Sequence, residues 1–328
     1  MMKISVIGDG GWGTAIAMVL HGKGINTTLW SVSREYASFL SSRRENVKFL
    51  KGVKLPDGLQ ITSDDKKAAE ADMAIFVVPC EYLRSVAERF SGSGFRLVVS
   101  ATKGIEKRSL KRPSEILSEY FHPEGICVLS GPSISFEVAK GMPTTVVVAS
   151  SGKNAPEVRD SLATERFRVY TSDDIIGVEL GGALKNVIAI AAGISDGMGF
   201  GTNSKAALLT RGLAEMTRLG VKMGARKETF SGLSGVGDLA TTCISQQSRN
   251  RWFGEEIGKG RRMEEILAET EMVVEGLATA GAAYELSLKF AVDMPITSKI
   301  HEVIYEGKAP EIAVKELMTR AAKDEDRE

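Results

Sequence analysis

A glycine-rich turn set directly behind a short apolar strand restricts the fold of this chain more than any other feature. Lys3-Ile4-Ser5-Val6-Ile7 runs straight into Gly8-Asp9-Gly10-Gly11-Trp12-Gly13, a GxGxxG, and a helical stretch follows from Thr14. In such a run Gly8 permits the tight turn, Gly10 lets the backbone close on a pyrophosphate, and Gly13 lets helix and strand touch. The helix start then offers free N–H groups and the positive end of its dipole to phosphates. A lone GxGxxG is a weak motif. Placed between a strand and a helix at the head of a βαβ unit, it points to a dinucleotide.

The rest of the first half keeps this alternation. Residues 26–31, 73–78, 96–100, 127–130, 144–149 and 167–171 read as strands, and 14–23, 82–90 and 114–121 as helices. Ile75-Phe76-Val77-Val78 is apolar without a break, as a strand covered on both faces must be. The pattern predicts an α/β fold built on a doubly wound sheet. After Thr171-Ser172-Asp173-Asp174 the strand signal stops. Ser172 or Asp173 is placed to cap a helix over 175–194. Further helices are expected over 206–219, 251–257, 263–270, 276–290, 296–305 and 311–320. The predicted organisation is a Rossmann-like dinucleotide-binding domain over 1–172, followed by an all-α substrate-binding domain over 173–328. Residues 321–328 are mostly charged and expected to fray.

Lysine plus arginine and aspartate plus glutamate number 42 each. That balance argues against a nucleic-acid partner, which draws a basic surplus. Cys80, Cys127 and Cys243 form no CxxC pair and read as buried thiols in a reducing compartment. The first residues lack the form of a signal peptide. No stretch approaches the ~18 uninterrupted apolar residues of a membrane span. A cytoplasmic location is expected, and the neutral charge balance leaves room for a local basic pocket around a small-molecule anion.

Reduction of a carbonyl by hydride needs a proton donor, and histidine is the commonest. His21, His122 and His301 adjoin neither a glycine-rich loop nor a polar cluster, so packing or surface roles suit them better. Lys185 is the stronger candidate. In Leu180-Gly181-Gly182-Ala183-Leu184-Lys185-Asn186-Val187-Ile188 it stands in an apolar helix where burial should lower its pKa. The neighbouring glycines weaken a helix unless something must come close. A second constellation is Gly235-Val236-Gly237-Asp238, where Asp238 is also placed to cap a helix. Ser248-Arg249-Asn250 precedes another helix and combines a hydroxyl, a guanidinium fork and helix-start N–H groups, a set suited to a phosphate monoester. Lys103, behind Ala101-Thr102, and the Ser130-Gly131-Pro132-Ser133 turn lie at strand ends, where doubly wound folds bind ligands.

Past the second strand, Ser31-Val32-Ser33-Arg34 contains no acidic residue before Glu35. An NAD-specific site usually has one there for the ribose 2′-hydroxyl. Hydroxyls and a guanidinium suit a 2′-phosphate better.

These motifs together resemble the bacterial NAD(P)-dependent glycerol-3-phosphate dehydrogenases over nearly the whole chain. The resemblance runs from Gly8–Ala15 through Ala101-Thr102-Lys103-Gly104 and Ser130-Gly131-Pro132-Ser133 to Val178–Ala189. It continues in Ser195-Asp196-Gly197-Met198-Gly199, Thr210-Arg211-Gly212-Leu213-Ala214-Glu215-Met216, Gly235–Leu239 and Gln247–Arg251. It implies that Ser248, Arg249 and Asn250 hold the substrate phosphate, that Lys185 is the general acid–base, and that Lys103 and Asp238 complete the catalytic set. Gly131 and Ser133 would contact substrate. The cofactor would be lined by Gly8, Gly10, Gly11, Trp12, Gly13, Arg34, Lys103, Ser135, Arg249, Val273 and Glu275. It further implies reduction of dihydroxyacetone phosphate to sn-glycerol 3-phosphate for phospholipid synthesis, without a metal. From Ser31-Val32-Ser33-Arg34 both NADH and NADPH are expected to be accepted, with NADPH preferred, and the chain is allowed a homodimer. Two rivals share parts of this pattern. A β-hydroxyacid dehydrogenase would read a carboxylate instead of a phosphate, and a cofactor-binding sensor would have no need of Lys185.

Overall fold

The computed structural model describes residues 2–270, 272–322 and 324–325. The chain separates into two compact units. One contains the residues up to Lys103 together with Arg112–Glu179, and the other contains Gly104–Lys111 and everything from Leu180 onward. The expected division at 172/173 coincides with the end of the last strand. The compact units divide seven residues later, inside a helix, and exchange one short segment.

The first unit is built on an eight-stranded sheet: β1 (Lys3–Ile7), β2 (Asn26–Trp30), β3 (Gln60–Thr62), β4 (Met73–Phe76), β5 (Leu97–Ser100), β6 (Ile126–Ser130), β7 (Thr144–Ala149) and β8 (Phe167–Ser172). The spatial order is β3-β2-β1-β4-β5-β6-β7-β8. The order reverses between β1 and β4, the switch point at which doubly wound folds take their ligands. Pairing is parallel from β3 through β6. β7 then pairs antiparallel with β6, and β8 lies parallel to β7. Thus the sheet is doubly wound as expected, with a reversed pair at one edge. β3 gave no strand signal because a three-residue edge strand is too short to show a period.

Both faces of the sheet are buried. Ile4, Val6, Leu29, Ile75, Val99 and Leu129 face the helix Gly11–Gly22 side, while Ile7, Trp30, Phe76, Phe90 and Phe121 pack on the other. Among the latter, Trp30 meets Phe90 edge-on with ring centroids 5.4 Å apart, a favourable aromatic geometry.

Strand signal ends at β8. The helix Ile175–Gly197 follows, capped by Asp174, whose Oδ1 accepts from the Gly177 N–H at 2.9 Å. The expected caps lie one and two residues too early: Ser172 is still in β8 and accepts from the Asp174 N–H instead. One turn further, the buried carboxylate of Glu179 accepts from the Arg112 guanidinium at 2.6 Å and from the Ser114 N–H and hydroxyl at 2.7 and 2.6 Å. Among the described residues this is the one helix long and apolar enough to cross a membrane. Its most apolar window is 89 % buried, as a core helix should be.

The second unit is helical: Thr202–Lys222, Lys227–Phe230, Asp238–Ile244, Arg249–Gly258, Met263–Ala268, Glu275–Lys289, Pro295–Tyr305 and Pro310–Met318. Glu215, on the first of these helices, caps the helix Pro295–Tyr305, accepting from the Ile296 and Thr297 N–H groups at 2.6 and 3.0 Å. The short segment Gly104–Lys111 belongs here too, with the Lys107 ammonium 4.8 Å from the Tyr305 ring.

Candidate active site

In the first unit the glycine-rich turn has the shape a pyrophosphate requires. Gly8 has φ +122°, which favours glycine, and a Cβ at Gly13 would collide with the Gly8 carbonyl oxygen. A Cβ at Gly10 would meet nothing, so the space over that peptide is open. Gly10 is also the N-cap of the helix Gly11–Gly22, whose first turn carries no acidic side chain. An open backbone approach, a helix N-terminus and no repelling carboxylate in the first turn fit a dinucleotide diphosphate. The Trp12 ring packs towards Phe167, and its indole N–H is buried with no hydrogen-bond partner. Ser135 lies beside the turn, its hydroxyl oxygen 3.5 Å from where a Gly11 Cβ would stand.

Beyond β2, Ser33 caps the helix Arg34–Arg43, placing Arg34 in its first turn. The Ser33 hydroxyl donates to Glu35 Oε2 at 3.0 Å, which folds that carboxylate back on its own helix start. At the ends of β5 and β6, three expected substrate residues converge on one atom. The Gly131 carbonyl accepts from Lys103 Nζ at 3.2 Å and from the Ser133 hydroxyl at 2.9 Å.

The second unit holds Lys185. Its side chain is 7 % exposed, and its Nζ donates to Asp238 Oδ1 at 2.5 Å and to Thr242 Oγ1 at 2.7 Å. Thr242 in turn donates to the Asp238 carbonyl at 2.7 Å, so its oxygen is fixed as the acceptor for the ammonium. Asp238 does not cap a helix. Gly237 occupies the cap position and the Asp238 carboxylate is turned inward to Lys185. The close approach implied by the glycines beside Lys185 is real at Gly181, where a Cβ would lie 2.5 Å from the Ser234 carbonyl oxygen. That contact brings the turn leading to Asp238 against the helix carrying Lys185. Next to Lys185, the Asn186 Nδ2 is buried without a partner. Burial pushes the nearby Cys243 thiol up to about 12, which keeps it protonated and inert.

Ser248 is the N-cap of the helix Arg249–Gly258, its oxygen accepting from the Arg251 N–H at 3.2 Å. Ser248, Arg249 and Asn250 therefore span the cap and the first turn rather than preceding the helix. Arg249 Nη1 donates to the Val273 carbonyl at 3.2 Å, and Asn250 Oδ1 accepts from the Gly276 N–H at 2.9 Å. Two expected cofactor residues, Val273 and Glu275, are thereby drawn to the same helix start. Arg251, next along, is held by Asp196, which also binds Lys205.

Sequence reasoning missed Thr242, Asn186 and the Asp9–Ser31 contact described below. Thr242 had a usable signal: it stands four residues after Asp238, on the same helix face. Among the described residues no group of three or more histidine, cysteine or acidic side chains could hold a metal.

A dinucleotide-shaped turn on a doubly wound sheet, with a buried lysine–aspartate pair on a helical unit, defines a nicotinamide-dependent dehydrogenase. Comparison with known proteins narrows the class. The model for the NAD-dependent glycerol-3-phosphate dehydrogenase N-terminus matches residues 3–156, and that for the C-terminus residues 174–315. The glycerol-3-phosphate dehydrogenase [NAD(P)+] of Chlorobium phaeobacteroides is 47 % identical over 331 residues, 99 % of each chain. That of Pelotomaculum thermopropionicum is 49 % identical over 325 residues, covering 97 % of this chain and 93 % of its own. The crystal structure of glycerol-3-phosphate dehydrogenase from Coxiella burnetii superposes with a TM-score of 0.92 at 37 % identity, covering 97 % and 99 % of the two chains. The chain belongs to the NAD(P)-dependent glycerol-3-phosphate dehydrogenase family.

Proposed function

We propose that this protein reversibly reduces dihydroxyacetone phosphate to sn-glycerol 3-phosphate, supplying glycerophospholipid synthesis in the cytoplasm. The observation that carries this reading is the buried Lys185–Asp238–Thr242 cluster, which offers one oriented ammonium proton in a unit that also carries Ser248, Arg249 and Asn250. A bound nicotinamide supplies or takes the hydride at substrate C2. Lys185 gives its proton to the C2 oxygen during reduction and takes it back during oxidation. Asp238 and Thr242 aim the ammonium. Lys103, beside Gly131 and Ser133, offers a further cation for the substrate, and Arg249 pairs with the substrate phosphate through its planar fork.

In this reading residues 1–172 bind the dinucleotide and 173–328 the substrate. Gly8, Gly10, Gly11, Trp12 and Gly13 hold the diphosphate, and Arg34, Lys103, Ser135, Arg249, Val273 and Glu275 line the rest of the cofactor. Arg34 draws a 2′-phosphate, so NADPH is preferred while NADH is accepted. Assembly as a homodimer belongs to the same proposal, and sedimentation of the purified protein decides it.

The test is oxidation of NADPH, followed by absorbance, on adding dihydroxyacetone phosphate. Rapid turnover that is lost with unphosphorylated dihydroxyacetone is the expected result. Turnover of a phosphate-free β-hydroxy acid would assign a hydroxyacid dehydrogenase instead, and cofactor binding without turnover a sensor.

A further inference from the structure

The second strand ends without an acidic residue, but the fold brings one there from elsewhere. Asp9, the first variable residue of the glycine-rich turn, accepts from the Ser31 hydroxyl through Oδ2 at 2.5 Å. Ser31 directly follows β2 and is fully buried. The carboxylate therefore stands at the end of β2, the position from which doubly wound dehydrogenases read the ribose 2′ group.

Its placement is enforced. Asn46, fully buried, donates through Nδ2 to the Asp9 carbonyl and to Thr14 Oγ1, both at 2.7 Å. Its Oδ1 accepts from the Tyr36 hydroxyl at 2.7 Å and from the Phe49 N–H at 3.1 Å. With every Asn46 hydrogen bond used inside the protein, the Asp9 main chain is held in place, and the Ser31 hydrogen bond directs its side chain. Burial raises the Asp9 carboxyl above the ordinary aspartate range, opposed by the Ser31 hydrogen bond, by a backbone hydrogen bond and by the charge of Lys48.

We infer that Asp9 is a specificity-determining residue for the cofactor, accepting from a ribose 2′-hydroxyl and repelling a 2′-phosphate. A carboxylate has about four acceptor sites, so the Ser31 bond leaves it able to take a ribose hydroxyl. Arg34 and Asp9 then act in opposite senses. The guanidinium favours NADPH, the carboxylate favours NADH, and their opposition explains why one site accepts both. This inference rests on the proposed function, since it needs a nicotinamide dinucleotide in the site.

Titrating NADH and NADPH by fluorescence into wild type, Asp9→Asn and Asp9→Ala tests it without reference to turnover. Removing one like charge near a phosphate should tighten NADPH by roughly tenfold. NADH should bind no more tightly than before, so the NADPH-over-NADH ratio rises in both variants. Arg34→Ala should move the ratio the other way, by weakening NADPH alone. Asp9→Ala removes charge and hydrogen bond together, and melting curves report whether each variant is folded. An unchanged ratio in either folded variant, or an equal shift for both cofactors, overturns the inference. Wild type that turns over dihydroxyacetone phosphate with NADPH while the variants keep its ratio sinks this inference alone. Wild type that binds neither cofactor sinks the proposed function itself.

Discussion

Lys185 and Asp238, 53 residues apart in the chain, meet through a 2.5 Å bond between side chains that are 7 % and 2 % exposed. An ammonium this deep is tolerable only because a carboxylate and a hydroxyl share it. The pair fixes the direction of the Lys185 Nζ, and it removes the conformational freedom of a long side chain before substrate arrives.

Replacing Lys185 by Ala should lower turnover by about two to four orders of magnitude, the usual worth of a positioned proton donor. Cofactor affinity should barely change. Stopped-flow reduction of dihydroxyacetone phosphate, with NADPH binding measured in parallel, checks both halves. Near wild-type turnover in a folded variant removes Lys185 from the chemistry.

Arg249→Lys keeps the charge but loses the planar fork and the hydrogen bond to the Val273 carbonyl. The specificity constant for dihydroxyacetone phosphate should fall by at least about tenfold. Turnover of dihydroxyacetone, already slow, should be nearly indifferent. Equal losses on the two substrates show that Arg249 does not read the phosphate.

Glu179→Ala deletes the acceptor for Arg112 and for the Ser114 N–H and hydroxyl in a buried position. Breaking a buried pair from one side costs about 3–5 kcal/mol. Chemical denaturation should register a loss of that size. A loss within experimental scatter means the pair is dispensable for folding.

A fourth expectation concerns pH. Burial, opposed by hydrogen bonds from Ile296 and Thr297, raises the Glu215 carboxyl from its ordinary 4.5 to about 7. The folded state thus holds that proton more tightly than the unfolded chain does. The resulting stabilisation is complete below 4.5 and is lost as pH rises through about 7. Wild type should therefore lose melting temperature relative to Glu215→Gln between pH ~5 and ~8. A difference that is flat across that window contradicts the raised carboxyl.

Much of the architecture was legible in the sequence because it is written locally. β1 and β7 fall on the expected residues, and continuous apolar runs mark the inner strands. What stayed hidden depends on contacts distant in sequence. The reversal of β7 turns on how residues 131–143 lead the chain back, which no period records. Asp9 reads as one variable position in a glycine motif until β1 and β2 lie side by side and Ser31 reaches it. Asp238 has a helix-capping residue type at a helix start, so local rules favour a cap, and the Lys185 charge overrides them. Arg249 and Val273 similarly meet only once two helix starts are brought together.

Gly104–Lys111 packs with the helical unit although the residues on both sides of it belong to the sheet. The chain therefore passes between the units three times: into the segment, out of it, and again within the helix Ile175–Gly197. No single cut separates them. A fragment ending near Glu179 would carry eight residues whose packing partners, Tyr305 among them, are on the other piece. A fragment beginning at Leu180 would lack those same eight. Independent expression of either half thus requires excising or grafting the segment, and a split version of this protein is better cut in a surface loop of one unit than at the boundary between the two.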